Sequence, residues 1–306
     1  MTDPMHPDPC GQIDITVCIP VYNSAGEIAR SVQSIITQTT TAQVEILLCD
    51  DGSTDETRAI IAGLQRQHPN IRLLVNDRNR GRPFSRNRLV AEARGRYLTW
   101  LDADDEKYPE MMDRQFQMLE RLVAENGPEA VDGVLVFTNF HWLWPGEDAP
   151  KLMTPPEGEH HMEELLNARF GGYLWLMMGT TDTFRTVGPF DTALPRLQDL
   201  DFFVRFVQKC GRFRRIESDA PQCIYYKDDR ARGAMQVWQS WCHIWRKHRQ
   251  IFNAYGPENA LRWRRHHYRV ARRFAKANRD WLTYWFIAAQ EVFFIARARA
   301  RTGFGV

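Results

Sequence analysis

The stretch Arg96-Tyr-Leu-Thr-Trp-Leu-Asp-Ala-Asp-Asp-Glu106 decides how the chain is read. Its apolar half, Tyr97 to Leu101, is rich in aromatic and branched residues and carries no helical stripe, so it predicts a buried strand. That strand ends in three carboxylates, Asp102, Asp104 and Asp105. Acids this close repel one another and need a cationic partner, for which the usual candidate is a hard divalent ion with oxygen ligands. The competing reading is a solvated acidic turn ahead of a helix that starts near Pro109.

Working outward, apolar runs alternate with helical patterns. Asp14-Ile-Thr-Val-Cys-Ile-Pro20 predicts a first strand that breaks at Pro20, with Val21 to Ser24 as a loop. Ser24 and Glu27 have the spacing of a capping box for a helix carrying Ile28, Val32, Ile35 and Ile36. Val44 to Cys49 predicts a second strand, ending at Asp50-Asp-Gly-Ser-Thr-Asp55. In that segment a turn followed by a cap at Ser53 or Thr54 is the structural expectation. Ile71 to Val75 is a third strand, and Gly81 to Arg94 a loop and helix stopped by Gly95. Such alternation predicts a parallel sheet with helices on both faces. Ligands of these sheets sit beyond the carboxyl ends of the strands. Three polar clusters, around Tyr22, Asp51 and Asp104, are expected on that one rim.

Further strands are expected at Val131–Phe137, Leu174–Thr180, Arg212–Ile216 and Gln222–Tyr226, with a helix over Leu197–Cys210. Residues 141–161, which include Trp142 and Trp144, read as a long surface loop.

The 306 residues carry a formal net charge of only +2, but unevenly. Residues 227–306 hold 17 Lys/Arg against 5 Asp/Glu, a formal +12 that leaves −10 for the first 226. An acidic front and a basic tail suggest two tasks, the tail facing something anionic. Six cysteines without metal-like spacing predict a reducing compartment. The polar, Pro-rich start predicts a disordered lead-in over residues 1–12 and no signal peptide.

In the tail, Trp263, His267, Val270, Phe274, Ala277 and Trp281 form one stripe flanked by arginines, the pattern of a basic amphipathic helix. Trp281 to Ala296 is nearly continuous apolar sequence. As a helix it would reach about 24 Å, short of the roughly 30 Å hydrocarbon core, and so predicts a buried or interfacial segment. The tail admits three readings. These are docking on an anionic membrane surface, a homo-oligomer interface or lid on the first domain, and, last in weight, nucleic acid binding.

Taken together, Ile19-Pro-Val-Tyr-Asn23, Asp50-Asp-Gly-Ser-Thr-Asp-Glu-Thr57, Ser85-Arg-Asn87, Ala93-Arg-Gly95 and Leu101-Asp-Ala-Asp-Asp105 resemble, in order and spacing, the family 2 glycosyltransferases. Val187-Gly-Pro-Phe-Asp191 and Gln198-Asp199 extend the likeness, which covers roughly residues 13–226. It implies an α/β domain of the GT-A fold, after which the pattern of the tail predicts a helical extension over residues 227–306. It also implies inverting, metal-dependent transfer from a nucleotide diphosphosugar to a glycan, lipid-linked or protein acceptor.

By the same resemblance, Asp104 would hold Mn2+ or Mg2+, Asp105 would assist, and Asp102 would orient the donor. Asp51 would accept from the nucleotide base, uracil by preference, with Pro20 and Tyr22 lining its pocket. Asp199 would be the general base, with Asp201 as its competitor. Gln198 stands where the family usually has an acid. Arg86, Lys227, Arg230 and Arg232 are candidate phosphate contacts. The Gln-x-x-Arg-Trp motif of processive members is absent, which implies one or a few sugars per encounter. Two other classes, a nucleotidyltransferase and a non-catalytic nucleotide-sugar-binding module, compete with this reading. The first lacks a cation in Tyr22 to Glu27, and the second would have lost acids that are present here.

Overall fold

The computed structural model describes residues 13–144, 146–156, 161–168, 170, 173–226 and 233–302. The expectations for residues 1–12 and for Lys227, Arg230 and Arg232 lie outside them.

The strands are β1 (Ile15–Val21), β2 (Val44–Asp50), β3 (Ile71–Val75), β4 (Tyr97–Trp100), β5 (Glu106–Lys107), β6 (Val134–Phe137), β7 (Asn139–Leu143), β8 (Lys151–Met153), β9 (Met178–Thr180), β10 (Arg212–Arg215) and β11 (Pro221–Tyr226). The main sheet runs β10-β6-β9-β4-β1-β2-β3. It is parallel except at β9, which is antiparallel to both neighbours. Every residue of β1 is buried, as a central strand covered on both faces requires. Its alternate residues feed opposite layers. Ile15, Val17, Ile19 and Val21 pack with Ile28, Val32, Ile46 and Leu48. Cys18 packs with Leu47, Cys49, Leu89 and Trp100 on the other side.

Several expectations are corrected. β1 does not break at Pro20 but continues to Val21, with Pro20 opposite Cys49. Ile15 donates its N–H to Gln43 on the β2 side, and the Cys18 carbonyl accepts from Leu101 on the β4 side. By alternation the N–H that proline lacks would face β4, beyond the last β1–β4 pair at Cys18 and Trp100, where no ladder bond is forfeited. The first helix starts at Ile28 without a capping box. The Ser24 carbonyl accepts from Glu27 and Ile28, and its hydroxyl donates to Tyr22 O. The second helix, Thr57–Gln67, has Asp55 rather than Ser53 or Thr54 accepting from the Thr57 N–H.

Residues 141–161 are not one long loop. β7 and β8 form a hairpin in a second sheet, ordered β5-β11-β7-β8. The strand expected over 174–180 splits into a 3-10 turn, Leu174–Leu176, and the short β9.

The described residues of the basic tail fold as four helices, Ala234–Lys247, Arg249–Ala254, Pro257–Ala277 and Trp281–Thr302. Val237, Trp241, Ile244, Phe252, Trp263, Phe274 and Ile287 join the same core as Phe137 and Phe202 of the first domain. The change of texture near residue 227 is therefore not a break in the hydrophobic core. The stripe does not run on to Trp281, because the third helix stops at Ala277 and Arg279 turns left-handed (φ +55°). Asp280 then accepts from Thr283 N–H and opens the last helix, a short acid at a helix start. Trp263, His267 and Phe274 are buried within the chain. That face is therefore not available to a membrane.

Candidate active site

The rim beyond β1 and β2 is built by latched loops. Asn23 N–H donates to Ser53 Oγ (2.9 Å), Ser24 N–H to Thr57 Oγ1 (2.8 Å) and Ala25 N–H to Asp55 Oδ2 (3.1 Å). Tyr22 projects from this latch, 46% exposed, while Pro20 stays buried inside β1. Gly52 is required where it stands. It has φ +77°, and a Cβ would lie 2.6 Å from the Arg78 carbonyl carbon, a conformation and a space open only to glycine.

Asp50 is wholly buried and accepts from Arg58 Nε (2.6 Å) and Ser53 N–H. Asp51 accepts from Asn76 Nδ2 (2.6 Å), Arg80 N–H (3.0 Å) and Gly81 N–H (2.8 Å). It thus spends three of about four lone-pair sites on the chain and shapes the loop that leads into the helix Arg82–Glu92.

That helix presents Arg82 and Arg86, one turn apart, to Asp102. Arg86 Nη2 lies 3.3 Å from Oδ1 and Arg82 Nη1 lies 3.6 Å from Oδ2. The Asp102 charge lifts the Arg82 guanidinium above its ordinary range. Burial pulls Arg86 below its own, with Asp102 opposing. Arg86 also lies 5.7 Å over the rings of both Trp100 and Phe190. Sequence reasoning found Arg86 but missed Arg82, although their i, i+4 spacing places both on one helix face.

The acids beyond β4 divide. Asp104 is exposed, and no ion pair reaches its carboxylate among the described residues. Partial desolvation, and then the charge of Asp102, push its carboxyl above the usual range. Asp105 is fully buried. Its Oδ1 accepts from Tyr226 N–H (3.2 Å), and its Oδ2 has no hydrogen-bond partner among the described residues. Burial pushes its carboxyl well upward, and it does not share the solvent-facing position of Asp104. Among the described residues no group of three or more His, Cys, Asp or Glu is placed to hold a metal.

A cleft of about 480 Å³ opens beside this rim. It brings together Arg82, Arg86, Asp102 and Asp199 with Trp142, Tyr173, Trp175 and Tyr225. Pro20, Tyr22, Asp51, Asp104 and Asp105 are not among its lining. The rings of Tyr173, Trp175 and Tyr225 lie together, each pair of centroids 5.4 to 5.8 Å apart and all planes within 16°. Behind them the buried Lys107 donates to the Trp175 carbonyl (3.0 Å), and burial brings its ammonium down to about 8. The far wall comes from the basic tail, as Trp241, His266, Arg273 and Phe274. Nothing in the sequence alone placed these opposite Asp199.

Asp199 sits in the first turn of the helix Gln198–Gln208, entered through Leu197 in a left-handed conformation (φ +60°). Among the described residues its Oδ1 accepts from the neighbouring Leu200 N–H (2.9 Å). Asp201 is committed elsewhere. It is fully buried and paired with Arg205 (3.0 Å), Lys247 (2.8 Å) and His248 (2.9 Å). Of the two acids, only Asp199 faces the cleft.

Residues 16–142 match the family model described as glycosyl transferase family 2. Succinoglycan biosynthesis protein ExoO of Rhizobium meliloti is 39% identical over 121 residues, 40% of this chain and 33% of that protein. Chondroitin synthase of Pasteurella multocida is 26% identical over 221 residues, 70% of this chain and 21% of its own length. The chain thus spans a third or less of these relatives. Among solved structures, S. aureus TarS 1-349 in complex with UDP-GlcNAc superposes with a TM-score of 0.56 at 17% identity, covering 76% of this chain and 67% of that one. The shared architecture is the GT-A fold, and residues 16–142 are similar to glycosyl transferase family 2.

Proposed function

We propose that the chain transfers a sugar from a UDP-linked donor to an acceptor hydroxyl with inversion at the anomeric carbon, in the synthesis of a polysaccharide or related glycoconjugate. The single observation that carries this reading is the cleft, where Asp199 shares one space with the Arg82–Asp102–Arg86 cluster. The family match supports sugar transfer, the name of the succinoglycan relative a polysaccharide product, and the UDP-GlcNAc complex of TarS the donor class.

The chemistry follows from the two ends of the cleft. Asp199 takes the proton of the acceptor hydroxyl as its oxygen bonds to the anomeric carbon. The bond from that carbon to the diphosphate breaks, and the electron pair leaves with UDP. Arg82 and Arg86 place positive charge where the leaving group gains negative charge. The rings of Tyr173, Trp175 and Tyr225 offer an apolar platform beside Asp199 for the flat face of a sugar ring.

The residues also suit a divalent ion. Mg2+ and Mn2+ at such sites need only one or two protein carboxylates, with substrate phosphates supplying the rest. Asp104, exposed and without an ion-pair partner, is the residue that would hold it. The ion would supply Lewis-acid stabilisation of the departing diphosphate. Asp105, buried against Tyr226, serves the wall between β5 and β11.

A panel of nucleotide sugars scored by thermal shift, with and without Mn2+, tests the reading. A UDP-sugar should stabilise the protein, and more so with Mn2+. No response to any nucleotide sugar, or pyrophosphate release from a nucleoside triphosphate, would contradict it.

A further inference from the structure

The last helix, Trp281–Thr302, is apolar on nearly every side from Trp281 to Ala296, Gln290 and Glu291 excepted. Its inward side is pinned. Ile287 is fully buried, Glu291 pairs with Arg272 (3.0 Å), and Phe294 sits under Arg264 at 4.1 Å. With that side fixed, the outward side is apolar throughout. Leu282 is 89% exposed, Trp285 67%, Val292 68% and Phe293 66%, and Trp281 and Phe286 are also exposed. Ala289 and Ala296 continue the stripe. A row of large apolar side chains in water over four turns is what monomeric soluble proteins avoid.

The row lies in the most cationic part of the chain. Lys276 and Arg279 are exposed just before it. Arg297, Arg299 and Arg301 follow it in sequence, and residues 227–306 carry a formal +12. No described helix is long and apolar enough to cross a membrane, so the row would lie along a surface rather than pass through it. Tryptophan and phenylalanine beside lysine and arginine are the composition of helices that sink one face into the headgroup boundary of an anionic bilayer.

From this juxtaposition we propose that the outward face of the helix Trp281–Thr302 docks the protein on an anionic phospholipid surface. A second copy of the chain is the competing occupant. Pairing this face with itself would bring together two segments of +12 each, whereas an anionic bilayer complements that charge. The inference does not depend on the transferase reading, since it uses no residue of the cleft.

The test is flotation of the full chain with vesicles of phosphatidylcholine alone and of phosphatidylcholine mixed equally with phosphatidylglycerol. The protein should float with the mixed vesicles, stay down with the neutral ones, and be released by high salt. The double variant Leu282→Glu, Trp285→Glu should lose roughly tenfold or more of its vesicle binding while keeping its melting temperature. If that variant fails to fold, Val292→Glu, Phe293→Glu serves in its place. Equal flotation with both vesicle types, no flotation at all, or undiminished binding by a folded variant would overturn the proposal. So would a wild-type dimer in light scattering that the variant converts to monomer, because a second copy would then cover the face.

Discussion

The Asp201 carboxylate lies 2.8 Å from the Lys247 ammonium, so the helix that carries Asp199 is clamped to the basic tail two residues beyond the candidate base. Asp191 repeats the clamp, accepting from Lys247 (2.7 Å) and His243 (3.1 Å). The tail is therefore held as a wall of the cleft and is not an appendage.

Replacing Asp201 with Asn should cost about 3–5 kcal/mol at neutral pH, because Arg205 and Lys247 lose a buried counter-charge and His248 a hydrogen-bond acceptor. Burial alone would raise the Asp201 carboxyl, but hydrogen bonds from His248 and Lys247 hold it far below the usual range. A depressed folded value gives stability that is full above the ordinary carboxylate range and is lost as pH falls through the folded value. The stability gap between wild type and Asp201→Asn should thus be widest near neutrality and shrink as pH falls below roughly 4. Denaturant unfolding of both proteins across that range checks this.

Asp51→Ala should cost about 2–4 kcal/mol, since three N–H donors lose their acceptor. Because Gly81 directly precedes Arg82, the same variant should also weaken UDP binding. Unfolding and titration calorimetry read the two effects separately.

Arg86→Lys is not conservative at this position. A lysine keeps the charge but not the planar fork between Asp102 and the rings of Trp100 and Phe190. UDP affinity should fall by about tenfold, as measured by calorimetry on a variant shown to melt normally.

Asp104→Ala should leave the fold intact and remove the Mn2+ dependence of UDP-sugar binding. Unchanged Mn2+ enhancement in a thermal shift assay would move the metal role away from Asp104.

The centre of the main sheet was legible because β1, β2 and β4 are nearly unbroken apolar runs. Such runs survive as β1, β2 and β4 within a residue or two. Of the second sheet β11 was legible but β7 and β8 were not, because they are short and border a Pro- and Gly-containing segment whose local signal is that of a loop. Asp102 at a strand end and Asp199 at a helix start were legible as candidates, and both line the cleft. The separation of Asp199 from Asp201 was not, since it depends on Lys247 and His248 arriving from the tail. The aromatic stripe of residues 263–274 was legible as an amphipathic face. Only the fold reveals that it turns inward and leaves the exposed row to the helix that follows.

The account rests most directly on Asp199. Transfer from a UDP-sugar should be measured for Asp199→Asn alongside its UDP-sugar affinity. The account predicts unchanged donor affinity with transfer lowered by about 10²–10⁴-fold. Transfer at the wild-type rate would contradict it.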